Sequence, residues 1–267
     1  MNSIVTQERD NKRNSLFIFL AGFFVTNALV AEMVGIKIFS VESTFGFAPA
    51  NINIFGSSFS FNLTAGTVMW PFVFISTDII NEYFGKTGVR RISLFTAGLI
   101  AYGFLIIGLS TILDPAQFWM DQNKVDSMGN PFNINNAFNT IFRQGMGIIL
   151  ASLTAFLVGQ FVDVYVFQKL RKYSGTKMLW LRATGSTMVS QLIDSFVVLF
   201  IAFYLLGNWT FIFVLQVGIM NYIAKGMLAV LLTPLLYFAH TAIDKYLGKE
   251  ESEKMMEEAA GSSGNLF

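Results

Sequence analysis

Residues 63–85 read LTAGTVMWPFVFISTDIINEYFG, a run that is mostly apolar and carries Asp78, Asn81 and Glu82 near its end. Apolar stretches of about 18 or more residues predict transmembrane helices, because about 20 residues at a rise of roughly 1.5 Å each cross the hydrocarbon core. Asp78 and Glu82 are four positions apart and therefore share one helix face. The stretch predicts a membrane-spanning helix with a polar face toward one end.

The rest of the chain repeats this apolar pattern. Of 267 residues, 54% are hydrophobic and only 13% are charged, and the mean hydropathy of +0.55 is far from that of a soluble domain. Six apolar stretches are predicted to cross the membrane: Ser15–Ile36, Leu63–Tyr83, Ile92–Leu113, Gly145–Phe167, Ala183–Leu206 and Phe211–His240. The sequence therefore predicts an all-α membrane protein, a bundle of six transmembrane helices over residues 15–247. Residues 1–14 are predicted to be a cytoplasmic tail and residues 248–267 a flexible cytoplasmic tail.

The orientation follows from the distribution of lysine and arginine among the connections, since these residues collect on the cytoplasmic side. With the N-terminus inside, the outer side holds only Lys37, Lys124 and Arg143, and the other loop and tail cations fall on the cytoplasmic side. Both termini are predicted to be cytoplasmic. The two long outer connections, Lys37–Asn62 and Asp114–Phe142, are predicted to be loops.

Three ionisable residues fall deep inside predicted helices: Asp163, Asp194 and Lys225. Such groups cost about 2.5–3.5 kcal/mol each to insert and normally face the bundle interior or a water-filled cavity. Asp194 lies near the middle of its helix, where we expect either a transport role or a structural pair with Lys225. Asn221 lies one turn before Lys225, so the last helix has a polar stripe. Glu32 lies near the outer end of the first helix.

Two helices share a local pattern, VGQFVD at residues 158–163 and VSQLID at residues 189–194. Each pattern places a glutamine and an aspartate three positions apart, Gln160 with Asp163 and Gln191 with Asp194, so that both side chains lie on one helix face. Asp78 is predicted to be either functional or an interhelical hydrogen-bond acceptor. For Glu82 we expect an interfacial ion pair with Arg90 or Arg91.

The sequence gives little support for catalysis. It has no cysteine and a single histidine, His240, near the end of the last helix, so a zinc-dependent intramembrane protease would lack its ligands. Ser186 follows Gly185 in the manner of an intramembrane serine nucleophile, but no histidine lies at the depth needed to activate it. We expect no catalytic residue, metal or cofactor. The net charge of +1 gives no reason to expect nucleic-acid binding.

The segment STDIINEYFG at residues 76–85, followed by Arg90 and Arg91, resembles the signature of the bacterial queuosine precursor transporter family, also called the vitamin-uptake-like transporter family. Residues 159–171 and 183–195 resemble its fourth and fifth helices, and Lys225 is in register with a lysine typical of its last helix. The resemblance implies an inner-membrane transporter that imports 7-cyano-7-deazaguanine and 7-aminomethyl-7-deazaguanine, which cells salvage to make the queuosine of tRNA.

The residues are chemically suited to that cargo. One carboxylate of Asp78, Asp163 or Asp194 could accept the parallel ring N–H and amine donors of a deazaguanine. The ring carbonyl needs a donor, for which four side chains qualify: Lys225, Asn221, Gln160 and Gln191. The expected partners are this small molecule and membrane lipid, and a homo-oligomer is left open. The alternatives are a transporter or a substrate-binding subunit for another planar nutrient, such as a purine or a vitamin, and more distantly an intramembrane enzyme.

Overall fold

Helices make up most of the chain in the computed structural model, which describes residues 2–146, 149–174 and 178–261. The α-helices in these ranges are α1 (Asn2–Val34), α2 (Val41–Thr44), α3 (Trp70–Ser110), α4 (Gln117–Gln122), α5 (Ile134–Met146), α6 (Ile149–Ser174), α7 (Leu179–Leu199), α8 (Phe211–Leu231), α9 (Thr233–Leu247) and α10 (Lys249–Gly261). A 3₁₀ helix (Ala65–Val68) precedes α3, and a π-helix (Phe200–Leu205) extends α7.

Five helical segments in the described ranges are long and apolar enough to cross a membrane. They are Gln7–Val34, Trp70–Ser110, Ala151–Ser174, Leu179–Leu205 and Phe211–Leu231. This finding agrees with the predicted all-α membrane protein. The count of six crossings and the cytoplasmic placement of both termini remain predictions.

The second and third predicted segments both lie largely in α3, which breaks at Gly85. Gly85 has φ +67° and ψ −172°, a backbone conformation that is essentially restricted to glycine. A Cβ atom on Gly88 would lie 3.3 Å from Cγ2 of Ile80, although eight residues span about 12 Å along a straight helix. The chain therefore folds back at Gly85, and the expected loop between the two segments is reduced to a sharp helix break.

The last predicted segment, Phe211–His240, is two helices. Helix α8 ends at Leu231 and α9 begins at Thr233, with Pro234 in the first turn of α9. Proline has no N–H to donate and disfavours a helical conformation in the preceding residue, so it is tolerated at a helix start but not in its interior. The prediction of a single long helix was wrong for this reason.

The first long connection contains short strands: β1 (Ile38–Ser40), β2 (Ile52–Ile54), β3 (Ser57–Phe59) and β4 (Asn62–Thr64). Strand β1 pairs antiparallel with β4, and β2 with β3. The Glu42 carboxylate organises this region, since its Oε1 accepts hydrogen bonds from the N–H of Phe61 (2.8 Å) and of Ala50 (3.3 Å). These donors, that of Phe61 first, lower the pKa of Glu42 below its ordinary value.

The second long connection contains α4 and most of α5. Helix α5 carries apolar residues at positions 134, 137, 138, 141 and 142, a spacing that gives one apolar helix face. The predicted outer loops are thus partly structured.

Both predicted tails contain helix. Helix α1 already begins at Asn2, and α10 occupies much of the segment that we expected to be flexible, while residues 262–267 lie outside the described part. Met255 and Met256 of α10 are buried in the same apolar core as residues of α3 and α6. Apolar side chains facing one way every few residues let α10 dock on the bundle, so a flexible tail does not describe residues 249–261.

Candidate functional site

A cavity lies between α3, α7, α8 and the start of α9, with an empty volume of about 510 Å³ that includes space open to the surroundings. Its walls are mainly apolar, and two aromatic rings, Trp70 and Phe74, stack on each other with centroids 5.9 Å apart. The polar residues that line it are Thr67, Asp78, Thr184, Thr187, Gln191, Lys225 and Thr233. A few polar groups in a mostly apolar concavity are the usual composition of a small-molecule site.

Two of these polar residues are buried with unused hydrogen-bonding atoms. In the described part of the chain, Oδ1 of Asp78 and both amide atoms of Gln191 have no hydrogen-bond partner. Asp78 is 4% exposed and Gln191 is 1% exposed. A buried polar atom without a partner costs about 1–3 kcal/mol. A ligand that supplies donors to Asp78 and both a donor and an acceptor to Gln191 would remove that cost.

Gln160 and Asp163 lie on α6, outside the lining of the cavity. The Thr77 hydroxyl donates to Oε1 of Gln160 (3.1 Å), and the Ser190 hydroxyl donates to Oδ1 of Asp163 (3.1 Å). Oδ2 of Asp163 is without a partner among the described residues. Both predicted site residues therefore form a second polar layer that holds α3 and α7, the helices that carry Asp78 and Gln191.

Helices α6 and α7 lie against each other where they carry the two Gln/Asp patterns. A Cβ atom on Gly159 would lie 3.7 Å from Cβ of Asp194, so the two helices approach closely beside the patterns. That each helix presents an amide and a carboxylate side by side stays a prediction from the spacing of three residues.

Asp194 and Lys225 form an ion pair across α7 and α8. The Lys225 ammonium lies 2.6 Å from Oδ2 of Asp194, and the side chains are 17% and 18% exposed. Lys225 lines the cavity, while Asp194 lies one helical turn beyond Gln191. Asn221 is partly buried one turn before Lys225 and does not line the cavity.

A buried ionic network lies one turn beyond Asp78. The sequence did not predict it. Oε1 of Glu82 is 2.8 Å from Nη2 of Arg182 and 3.7 Å from Nη2 of Arg171, with all three side chains nearly inaccessible. The expected pairing of Glu82 with Arg90 or Arg91 was wrong. Arg171 and Arg182 lie at the ends of apolar runs, so the sequence places them among the cytoplasmic loop cations and gives them no partner in the bundle.

The network also reaches the C-terminal helix. Arg171 donates to the carbonyl oxygens of Glu82 (3.2 Å) and Met256 (2.5 Å). Gln168 donates to Oδ1 of Asn81 (2.6 Å), and the Arg182 guanidinium lies 5.8 Å from the centroid of the Phe167 ring. Side chains from α3, α6 and α7 are thus linked to one another, and Arg171 links them to α10.

Comparison with known proteins assigns the chain to a family. A family model described as "Putative vitamin uptake transporter" matches residues 64–239, more than half of the chain. The chain is 31% identical over 235 residues to a "Probable queuosine precursor transporter" of Bacillus subtilis, covering 86% of this chain and 96% of that protein.

Two further relatives are similar over shorter ranges. A Haemophilus influenzae protein with the same printed name is 29% identical, covering 66% of this chain and 67% of the relative. The "Queuosine precursor transporter" of Escherichia coli is 27% identical, covering 65% of this chain and 71% of the relative. No solved structure matches the chain. The chain is therefore a multi-pass membrane protein of the vitamin uptake transporter family, the family of the bacterial queuosine precursor transporters.

Proposed function

We propose that this transporter imports queuosine precursors, namely 7-cyano-7-deazaguanine and 7-aminomethyl-7-deazaguanine, across the inner membrane. Three relatives that cover 65% to 86% of this chain carry the name of a queuosine precursor transporter, which supports this choice of substrate class. The family likeness alone fits other planar nutrients equally well. The cavity supplies the chemical argument for a deazaguanine.

The observation that carries the proposal is the pair of unsatisfied side chains, Asp78 and Gln191, in one cavity. A deazaguanine presents its exocyclic amine, its ring N–H and its ring carbonyl in sequence along one edge. The Asp78 carboxylate would accept from the first two donors, in the manner of bidentate pairs with planar donor forks. The Gln191 amide would donate to the carbonyl.

The flat ring would lie against an aromatic wall. Trp70 and Phe74 line the same cavity as Asp78, and all three residues are in the first arm of α3, the part that precedes the break at Gly85. Aromatic faces favour stacked or edge contacts with flat rings, worth about 0.5–1.5 kcal/mol beyond their buried area.

The other predicted site residues would act around this contact. Gln160 and Asp163 would hold the helices that present Asp78 and Gln191, through their bonds to Thr77 and Ser190. Lys225 and Asp194 would bind the far side of the ligand. Asn221 would add an amide group to the polar face of α8 that carries Lys225.

The test is uptake of labelled 7-cyano-7-deazaguanine into proteoliposomes that contain only this protein and no ATP. We expect the base to enter down its gradient. We also expect Asp78→Asn to reduce uptake at least about tenfold, because it removes the charge that accepts two donors. Asp114→Asn makes the same chemical change at an exposed position and serves as the matched control.

Each alternative predicts a different result. Competition by an unrelated purine or vitamin, without competition by deazaguanines, would identify another nutrient as the substrate. Entry only after addition of a second protein and ATP would make the chain a substrate-binding subunit. A chemically altered base recovered from the vesicles would indicate an enzyme.

A further inference from the structure

Glu32 is an acidic residue close to the cavity that the proposed contacts leave unused. It lies near the end of α1, is partly buried, and its Oε1 accepts a hydrogen bond from the Ser152 hydroxyl of α6 (2.6 Å). Its neighbour Ala31 packs tightly on the 3₁₀ helix, since a Cβ atom on Gly66 would lie 2.5 Å from the Ala31 carbonyl oxygen. The next residue of that helix, Thr67, lines the cavity.

Two charged side chains act on the Glu32 carboxylate, Asp194 from α7 and Lys225 from α8. The Lys225 ammonium is already paired with Asp194 at 2.6 Å. This cluster, which we name the Glu32 cluster, therefore holds two carboxylates against one ammonium. The cluster thus has one more carboxyl group than ammonium groups, and a cationic ligand beside it would stabilise the ionised form of that carboxyl group.

Lys225 connects the Glu32 cluster to the cavity, because it lines the cavity and its ammonium is paired with Asp194. Lys225 and Gln191 both line the cavity, and Asp194 is three residues after Gln191 on the same helix face. A ligand held by Asp78 and Gln191 would therefore extend along α7 toward the cluster.

The order of groups on a 7-deazaguanine matches this order of residues. Along the ring edge come the amine, the ring N–H, the carbonyl and then the substituent at C7. If Asp78 binds the first two groups and Gln191 binds the carbonyl, the C7 substituent points toward Asp194 and Lys225. The aminomethyl substituent is a cation at neutral pH, whereas the cyano substituent is neutral.

We propose that the Glu32 carboxylate binds the substituent at C7 and thereby selects for the aminomethyl cation over the neutral nitrile. The inference rests on the proposed function. The ammonium of the substrate supplies the positive charge that the cluster lacks, with Glu32 as its main acceptor because Asp194 is engaged by Lys225. The nitrile would gain nothing from Glu32.

The test compares the two bases in proteoliposomes. Labelled 7-cyano-7-deazaguanine is taken up in the presence of increasing unlabelled 7-aminomethyl-7-deazaguanine, and the ratio of the two apparent affinities is measured. For Glu32→Gln we expect the relative affinity for the aminomethyl base to fall about tenfold or more, while uptake of the cyano base is retained. Glu250→Gln, the same change at an exposed position of α10, should leave the ratio unchanged.

A second variant separates charge from structure. Ser152→Ala removes the hydrogen bond to Glu32 but leaves the carboxylate, and it should keep the preference for the aminomethyl base. An unchanged ratio in Glu32→Gln, or an equal loss of both bases, would overturn the proposal, as would a wild-type protein that excludes the aminomethyl base. Failure of the wild type to carry either base would instead refute the proposed function itself.

Discussion

The ammonium of Lys225 lies 2.6 Å from Oδ2 of Asp194 and joins α8 to α7 beside the cavity. Both residues were predicted from sequence as ionisable groups in membrane helices, and a pair between them was one of the two expectations for Asp194. Lys225 also lines the cavity, so this structural pair lies beside the candidate site.

For Asp194→Asn we expect uptake to be lost while expression and membrane insertion are retained, because the change is isosteric and removes only the charge and acceptor capacity. Stability should fall by about 1–3 kcal/mol, since Lys225 then loses the carboxylate that lies 2.6 Å from its ammonium. Proteoliposome uptake and thermal unfolding in detergent measure the two effects. The double variant Asp194→Asn with Lys225→Gln should recover stability but not uptake. Wild-type uptake by either variant would remove the pair from the site.

The Glu82–Arg182 pair should be the more important of the two ion pairs for stability. Both side chains are almost fully buried, and Arg171 adds a second guanidinium nearby. Glu82→Gln would remove the buried carboxylate that lies 2.8 Å from Arg182 and 3.7 Å from Arg171, at a cost of about 3–5 kcal/mol in the free energy of unfolding. Thermal unfolding in detergent should show a large fall for Glu82→Gln and little change for Arg90→Gln, the exposed partner suggested by sequence. The reverse order would contradict the observed pairing.

This pairing shows what hydropathy can and cannot predict. Apolar runs located the membrane helices, because lipid must be matched by apolar side chains over a fixed length. They did not locate the helix ends. Arg171 lies inside α6 and Arg182 inside α7, beyond the apolar runs, because a helix continues past the hydrocarbon where its charged residues find partners in the protein.

The sequence predicted which side chains share a face of one helix, but it did not predict which side chains of different helices meet. The spacing of Gln191 and Asp194 placed both on one face of one helix, which is a local property. That Asp78, Gln191 and Lys225 share a cavity while Asp163 lies behind it depends on how distant helices pack. Glu32 looked like an isolated acid in the sequence, since its neighbours come from α6, α7 and α8.

Gly85→Ala should destabilise the protein. A side chain at φ +67° and ψ −172° is strained, at about 1–3 kcal/mol, and relief of the strain would reopen the turn between the two arms of α3. Gly98→Ala is the control, because a Cβ atom there meets nothing within 4 Å and alanine favours a helix. Thermal unfolding should show a lower midpoint for Gly85→Ala only. Equal midpoints for the two variants would mean that the break does not need glycine.

Acid should loosen the strand region of residues 38–64 through Glu42. The hydrogen bonds from Phe61 and Ala50 lower the pKa of Glu42 in the folded protein below its ordinary value of about 4.3. The stabilisation is therefore fully present above about pH 4.3 and is lost as the pH falls through the lower folded-state pKa. Hydrogen exchange of residues 52–64, corrected for intrinsic rates, should show less protection in that range. In Glu42→Gln the protection should be lower at neutral pH and nearly independent of pH, and a wild-type profile in this variant would contradict the role of the carboxylate.

The predicted orientation can be tested directly, because the chain has no native cysteine and any introduced cysteine is the sole target of a maleimide. Ser57 is in the β2–β3 hairpin, which is tied to α8 near its start by a hydrogen bond from Gln216 to the Ile54 carbonyl (2.8 Å), and Asn123 follows α4. Lys172 is exposed near the end of α6 and belongs to the cations that the positive-inside rule places in the cytoplasm. In intact cells with an impermeant maleimide, we expect labelling of Ser57→Cys and Asn123→Cys, and labelling of Lys172→Cys only after permeabilisation. Labelling of Lys172→Cys alone in intact cells would reverse the orientation and place both termini, with α10, outside.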